Sequence, residues 1–274
     1  MLIYNNDQLK QFFLKSQKDK IIGIDTEFFR VSTYYPKLCL IQLSNKTETV
    51  IIDPLSKTVD LSIVKKIIFK KDIIKVLHAA YQDIEIIFNL FGKIPDNIVD
   101  TQLCLPEIGF SHSIGYAEAC KNLLNVEINK KNQFIDWRKR PLEKEKIHYA
   151  IKDVKYLPKL FLKINEKINI KKNINILASH KKLLNEETYK KKPEKAWEKL
   201  KIRETKKYEI SRLKKICFFR EKLAKKKNIP VKRIISNQKI KILCKKEIKQ
   251  KEKKLILKSL EDNCFKKKLI NKFF

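Results

Sequence analysis

The feature that most constrains this chain is a pair of acids inside a short apolar run. Residues 21–29 read IIGIDTEFF, so Asp25 and Glu27 sit two apart among β-branched and aromatic residues. The run has the length and composition of a strand. The period of two along a strand puts both carboxylates on one face of a sheet. Neighbouring carboxylates beside Ile and Phe repel each other and are costly to desolvate. Two arrangements relieve that cost: an exposed edge strand, or a bound divalent cation, since oxygen-rich clusters suit Mg²⁺ or Mn²⁺.

Further acids follow at places where chemistry collects. In LHAAYQDIEIIF, at 77–88, His78 stands at the end of an expected strand and Asp83 at the start of the next helix. The C-terminal ends of strands are where α/β sheets place their sites. An acid at a helix N-terminus also has an ordinary explanation, a favourable interaction with the helix dipole. Later, YAIKD sets Tyr149 and Asp153 four apart, one helical turn, so phenol and carboxylate share a face.

The surrounding pattern predicts strands near 21–29, 38–44, 49–54, 73–79 and 98–102, with helices over 61–70 and 83–92. A long amphipathic helix is expected over 142–168, kinked at Pro158. Strands leading and helices interleaving give an α/β domain with a mixed sheet flanked by helices. Polar residues broken by Pro193 mark a linker at 186–194, and helical patterns at 196–227, 231–249 and 251–272 predict a small all-α domain beyond it.

Charge divides along the same line. Residues 1–160 carry 25 Lys and Arg against 19 Asp and Glu, whereas residues 161–274 carry 38 against 12. A positive field of that kind suits a polyanion such as nucleic acid, and solvated helix faces in a lysine-rich chain are the plainer reading of it. The six cysteines are scattered without a CxxC pair, as expected of reduced core thiols in an intracellular protein. No signal peptide or membrane span is visible, so the expected location is cytoplasmic, with no membrane partner.

The order of these elements carries a resemblance. DTEFFR-(x)4-YYPKLCLIQL at 25–43, VLHAAYQDIEIIFNLFG at 76–92, VDTQL at 99–103, KKNQFIDWRKRPL at 130–142 and YAIKDVKYLPKL at 149–160 resemble the DEDD superfamily of 3′→5′ exonucleases, in its tyrosine subclass. Within it the match narrows to the ribonuclease D family, over roughly residues 1–165. The resemblance implies a ribonuclease H-like fold over residues 1–185. It also implies two divalent ions, Mg²⁺ or Mn²⁺, held by Asp25, Glu27, Asp83 and Asp153. Tyr149 would position the attacking water, and nucleoside 5′-monophosphates would be released from the 3′ end of structured RNA such as tRNA precursors. A sister subclass uses a histidine at the place of His148; five residues from Asp153 rather than four, it lies farther from that helix face.

The substrate residues implied are Phe28, His78, Gln133, Trp137 and Arg140. Phe28 would wedge against the terminal nucleotide or pack in the core. Trp137 would stack on a base or pack, and Arg140 would grip phosphate with its planar fork. Gln42 is expected as hydrogen-bonded support, and Asp100 as support to the ions or as a helix cap. Residues 195–274 resemble an HRDC domain, a helical module that holds nucleic acid. No obligate protein partner is implied. Two other functions share these motifs: a 3′→5′ DNA exonuclease, and an RNA-binding relative without activity.

Overall fold

A computed structural model describes residues 1–3, 5–56, 58–128, 136–200, 207–245, 248–260 and 262–273, with side chains omitted at 207–208, 264 and 272–273. The chain divides into two units. One comprises Met1–Phe29 and Lys37–Tyr189, the other Arg30–Pro36 and Lys190–Phe274.

The first unit runs β1 (Leu2–Ile3), α1 (Asn6–Asp19), β2 (Ile21–Phe29), β3 (Lys37–Ser44), β4 (Thr49–Ile52), α2 (Leu61–Ile68), β5 (Ile74–Leu77), α3 (Tyr81–Phe91), β6 (Ile98–Asp100), α4 (Thr101–Cys104), α5 (Tyr116–Leu124), α6 (Lys144–Lys155), α7 (Leu157–Lys167) and α8 (Ile174–Leu183). The strands form one mixed sheet in the order β1-β4-β3-β2-β5-β6. β2 pairs antiparallel with β3 and parallel with β5. The acid-bearing strand is thus interior to the sheet, which removes the edge-strand explanation for Asp25 and Glu27.

Both faces of the sheet are covered, as the apolar strands require. Ile22, Ile24, Ile41 and Leu43 pack with Leu9 and Phe12 of α1, Val64 and Ile67 of α2, and Ile84 and Ile87 of α3. Across the sheet, Ile21 and Val76 pack with Val154 of α6 and Leu157, Leu160 and Phe161 of α7. Helix starts follow local chemistry: Asn5 and Asp60 cap α1 and α2, their side chains accepting from the backbone N–H groups of Gln8 and Ser62.

The helix expected over 142–168 is two helices that break at Tyr156. Pro158 therefore stands in the first turn of α7, where its missing N–H costs nothing. The Tyr116 hydroxyl secures the break, accepting from the Tyr156 N–H at 3.1 Å and donating to the Lys152 carbonyl at 3.2 Å. Gly23 brings α7 close to β2: an added Cβ would lie 2.5 Å from Ser44 Oγ and 2.9 Å from Leu157 Cβ. Ser44 in turn donates to the Val154 carbonyl at 2.7 Å.

The second unit contains α9 (Lys207–Lys227), α10 (Val231–Ile234), α11 (Asn237–Cys244), α12 (Gln250–Lys258) and α13 (Asn263–Phe273). Three helices were expected from the apolar pattern. Pro230 and the extended Ile235 bound α10, and Lys249 starts α12, so the later patterns are cut into shorter pieces. Leu213, Ile216, Cys217 and Ala224 of α9 form its core with Ile240, Leu243, Phe265 and Leu269. The segment joining β2 to β3 belongs here. Tyr34 is buried in this core and donates its hydroxyl to Glu221 at 2.6 Å, while Asn228 Oδ1 accepts from the Tyr34 and Tyr35 N–H groups.

The expected linker contains the break at Tyr189–Lys190, but its first residues are built into the first unit. Tyr189 is buried in that unit's core and donates to the Leu183 carbonyl at 2.7 Å. Cys39, Cys104, Cys120, Cys217 and Cys244 are buried free thiols. Among the described residues no helix is long and apolar enough to cross a membrane.

Candidate metal centre

Strand β2 delivers Asp25 and Glu27 to the face that α6 and α7 cover, and α6 delivers Asp153. One ligand oxygen from each of Asp25, Glu27 and Asp153 lies within 4.8 Å of the others. Tyr149, one turn before Asp153, donates its hydroxyl to the Asp153 carboxylate, while His148 points to solvent. Asp83 approaches from the opposite layer. Thr26, between the two acids and hence on the other face of β2, donates its hydroxyl to Asp83 Oδ1. Asp83 stands outside the tight three-residue group, yet it is close enough to raise the pKa of both Asp25 and Glu27.

The electrostatics of this group are those of acids held together against their repulsion. Burial first, then the charges of Asp83, Glu27 and Asp153, push Asp25 well above the usual carboxylate range. Burial, with Asp153 and Asp83, raises Glu27 to about 8. Burial raises Asp83 to about 7, opposed by the Thr26 hydroxyl. Burial likewise raises Asp153 to about 6, opposed by its bond from Tyr149. The Tyr149 hydroxyl is itself pushed up by burial and by Asp153, so it remains a proton donor across the neutral range.

The donor set fits hard divalent cations: all-oxygen, multiply anionic and open enough for further ligands. Gln42 supports that fit. It pairs directly with Asp25 across β2 and β3 and is fully buried, yet both its amide atoms lack a hydrogen-bond partner. The fixed support expected of Gln42 is therefore absent in this state. A polar amide waiting beside Asp25 is what a carboxylate layer around an ion uses for its outer hydrogen bonds.

The neighbouring residues take other jobs. Asp100 caps α4 by accepting from the Gln102 N–H, and its carboxylate also accepts from the Ala79 and Ala80 N–H groups at 2.9 Å. Ala79 has a positive φ of 56°, so Asp100 pins the turn that leads into Asp83. His180 Nε2 accepts from the Asp100 N–H at 2.8 Å. The two ring nitrogens of His78 lie 2.9 Å from Thr101 Oγ1 and 3.0 Å from the Ile114 carbonyl, turning the ring toward protein partners. Phe28 is half-buried just past a register shift between Glu27 and Phe28. Gln133 lies outside the described residues.

Two expectations for the segment before α6 change. Arg140 has no donor left for a phosphate. Its Nε and Nη2 grip Asp53 at 2.6 and 2.7 Å, Nη2 also reaches the Cys39 carbonyl, and Nη1 serves the Trp137 and Lys139 carbonyls. Trp137 is 3% exposed and packs its ring 6.1 Å from that of Tyr149, so it packs against the tyrosine instead of presenting a face for stacking. Asp53, Thr26, Tyr116 and His180 escaped the sequence reading. Only Asp53 left a signal there, an acid closing the apolar run TVIID.

Comparison with known proteins agrees with this geometry. A family model described as 3′-5′ exonuclease matches residues 1–169. Ribonuclease D of Sphingobium indicum is 37% identical over 239 residues, covering 86% of this chain and 62% of that protein. Ribonuclease D of Bartonella henselae is 36% identical over 238 residues, covering 86% and 59%. The chain thus spans about three-fifths of the length of these curated relatives. Among solved structures, Escherichia coli RNase D, an exoribonuclease involved in structured RNA processing, superposes with a TM-score of 0.80 at 25% identity, covering 98% of this chain and 74% of that one. The catalytic core of RRP6 from Trypanosoma brucei shares the fold, with a TM-score of 0.68 at 19% identity over 100% of this chain and 80% of that one. With its mixed sheet, its acid cluster and more than half its length matched by the family model, the chain belongs to the 3′-5′ exonuclease family.

Proposed function

We propose that this protein is a divalent-metal-dependent 3′→5′ exoribonuclease of the ribonuclease D type, trimming structured RNA such as tRNA precursors. The observation that carries the reading is the convergence of Asp25, Glu27 and Asp153, with Asp83 close by, around one point. Bound there, a pair of Mg²⁺ or Mn²⁺ ions would lower the pKa of water and neutralise charge on the departing 3′-oxygen. Asp25, Glu27, Asp83 and Asp153 would hold them. Tyr149, still protonated at neutral pH and anchored on Asp153, has a hydroxyl suited to orienting the attacking water. Phe28, half-buried and next in sequence to Glu27, would meet the terminal nucleotide.

RNA is favoured over DNA by the relatives, whose names are those of ribonucleases. The basic second unit, which we read as an HRDC-like module, suits a phosphate backbone. The test is cleavage of a 3′-labelled tRNA precursor and a matched DNA strand, with Mg²⁺ or with EDTA. Release of 5′-mononucleotides from the RNA alone, abolished by EDTA and by Asp153→Asn, is the expected result. Preference for the DNA strand would replace the ribonuclease reading by a DNA exonuclease. Binding without any cleavage would leave only an RNA-binding relative.

A further inference from the structure

In the second unit, α9 turns Leu213, Ile216, Cys217 and Ala224 to the core at helical spacing. Another stripe of the same helix reads Lys214, Phe218, Lys222, each one turn from the next and about 6 Å apart along the axis. The two lysines are exposed and the ring between them is half-buried. Phe218 meets Phe219 edge to face, with centroids 5.5 Å apart. These rings, with Lys214, Lys215 and Glu194, line a cavity of about 560 Å³. Each nearby ring carries a lysine: Lys214 lies 4.7 Å from the Trp197 ring, Lys222 5.2 Å from Phe218 and Lys268 5.5 Å from Phe219.

We propose that this groove binds a single-stranded stretch of RNA, stacking a base on Phe218 and holding the flanking phosphates on Lys214, Lys215 and Lys222. That the strand is RNA rests on the function proposed above; the groove itself rests on its own chemistry. An apolar peptide would leave the ammonium groups unmatched, and a lone phosphate would leave the rings unused. A nucleic-acid strand offers both a π face and regularly spaced anions. The lysine stems are flexible, so their heads can leave the rings for phosphate while the helix backbone stays still. The lysine excess of residues 161–274, 38 basic residues against 12 acidic, supplies the attracting field. Glu194 is the one acid among the described lining residues, and removing its charge should tighten binding.

The experiment uses the full chain carrying Asp153→Asn, so that RNA is held without being cut, and a fluorescein-labelled single-stranded RNA followed by anisotropy against salt. Lys214→Glu with Lys215→Glu should weaken binding at least 10-fold and lower the slope of log K against log salt by about 1.4, two single-strand phosphate contacts. Phe218→Leu should weaken binding about fivefold with the slope unchanged, the mark of lost stacking. Glu194→Gln should strengthen it. Circular dichroism melts matching the parent show that the variants are folded. If every folded variant binds within twofold of the parent at an unchanged slope, the groove is not the site, although the ribonuclease reading stands. A parent that binds no RNA, but does bind anionic vesicles or an acidic peptide, overturns the groove's assigned occupant. Whether the ribonuclease reading falls with it is decided separately by the cleavage assay.

Discussion

In the first unit four acids are drawn together by rigid elements: two on an interior strand, one at a helix start behind that strand, one on a helix across it. In the second unit the charge is of the other sign and is spread over exposed helix faces, mostly as lysines on long flexible stems. The first arrangement is expensive, with burial raising Glu27, Asp83 and Asp153 to about 8, 7 and 6. The second costs little because most of these lysines are exposed to water. Concentrated charge on a stiff frame makes a site for compact cations; dispersed charge on mobile stems makes a surface for a long polyanion. The two should therefore fail differently when mutated.

The largest contrast should come from Asp25→Asn, which removes one oxygen-donor charge from the cluster. We expect kcat/KM on RNA to fall on the order of 10³-fold or more, while RNA affinity measured by anisotropy stays within twofold. Equal losses in both would mean that the acids serve binding and that the two regions do not divide the labour.

Next in size is Gly23→Ala. The new Cβ has no room beside Ser44 Oγ and Leu157 Cβ, so α7 must shift from β2. Overpacking of this kind costs about 1–3 kcal/mol. Chemical denaturation should show that loss, and activity should fall with it as Asp153 moves relative to Asp25. A variant as stable as the parent would show that the close approach of helix and strand is not needed to build the cluster.

Arg140→Ala sharpens the comparison from the other side, because Arg140 is a basic residue in the unit that holds the acid cluster. Its five donors are spent on Asp53 and three carbonyls, so its loss should cost about 2 kcal/mol of stability. At temperatures where the variant is folded, KM for RNA should be unchanged. A several-fold rise in KM without loss of stability would restore Arg140 to the phosphate-binding role expected from sequence.

The smallest effect is in the pH dependence of the metal-free protein. The unfolded chain releases its carboxylate protons near 4, whereas the folded cluster keeps them until about 6 to 8. The folded state therefore binds more protons in that window, and its stability falls as pH rises through it. With EDTA the Tm should drop by about 3 °C or more between pH 5 and 8 relative to a Glu27→Gln variant. Mn²⁺ should recover more at pH 8 than at pH 5, since ions bind deprotonated ligands.

Much of the first unit was legible in the residues because its determinants are local. Asp25, Thr26 and Glu27 are contiguous, and strand periodicity alone assigns the two acids to one face. The turn spacing of Tyr149 and Asp153 likewise assigns phenol and carboxylate to one helix face, where the structure joins them by a hydrogen bond. What escaped depends on partners distant in the chain. Arg140 looks like a free cation until Asp53 is beside it, and Gln42 looks supported until its amide is seen without a partner. Tyr34 sits next to the acid strand in sequence, yet its side chain is buried with α9 in the other unit. The breaks at Tyr156 and around α10 depend on caps and turns that an amphipathic pattern does not register.

The central claim is tested most directly by counting ions. Mn²⁺ titrated into the metal-free protein at pH 7.5, followed by electron paramagnetic resonance, should reveal two bound ions per chain. Asp25→Asn and Asp153→Asn should each lose binding at one or both, while Lys214→Glu changes neither. Wild-type protein that leaves all Mn²⁺ free at millimolar concentration would contradict the account.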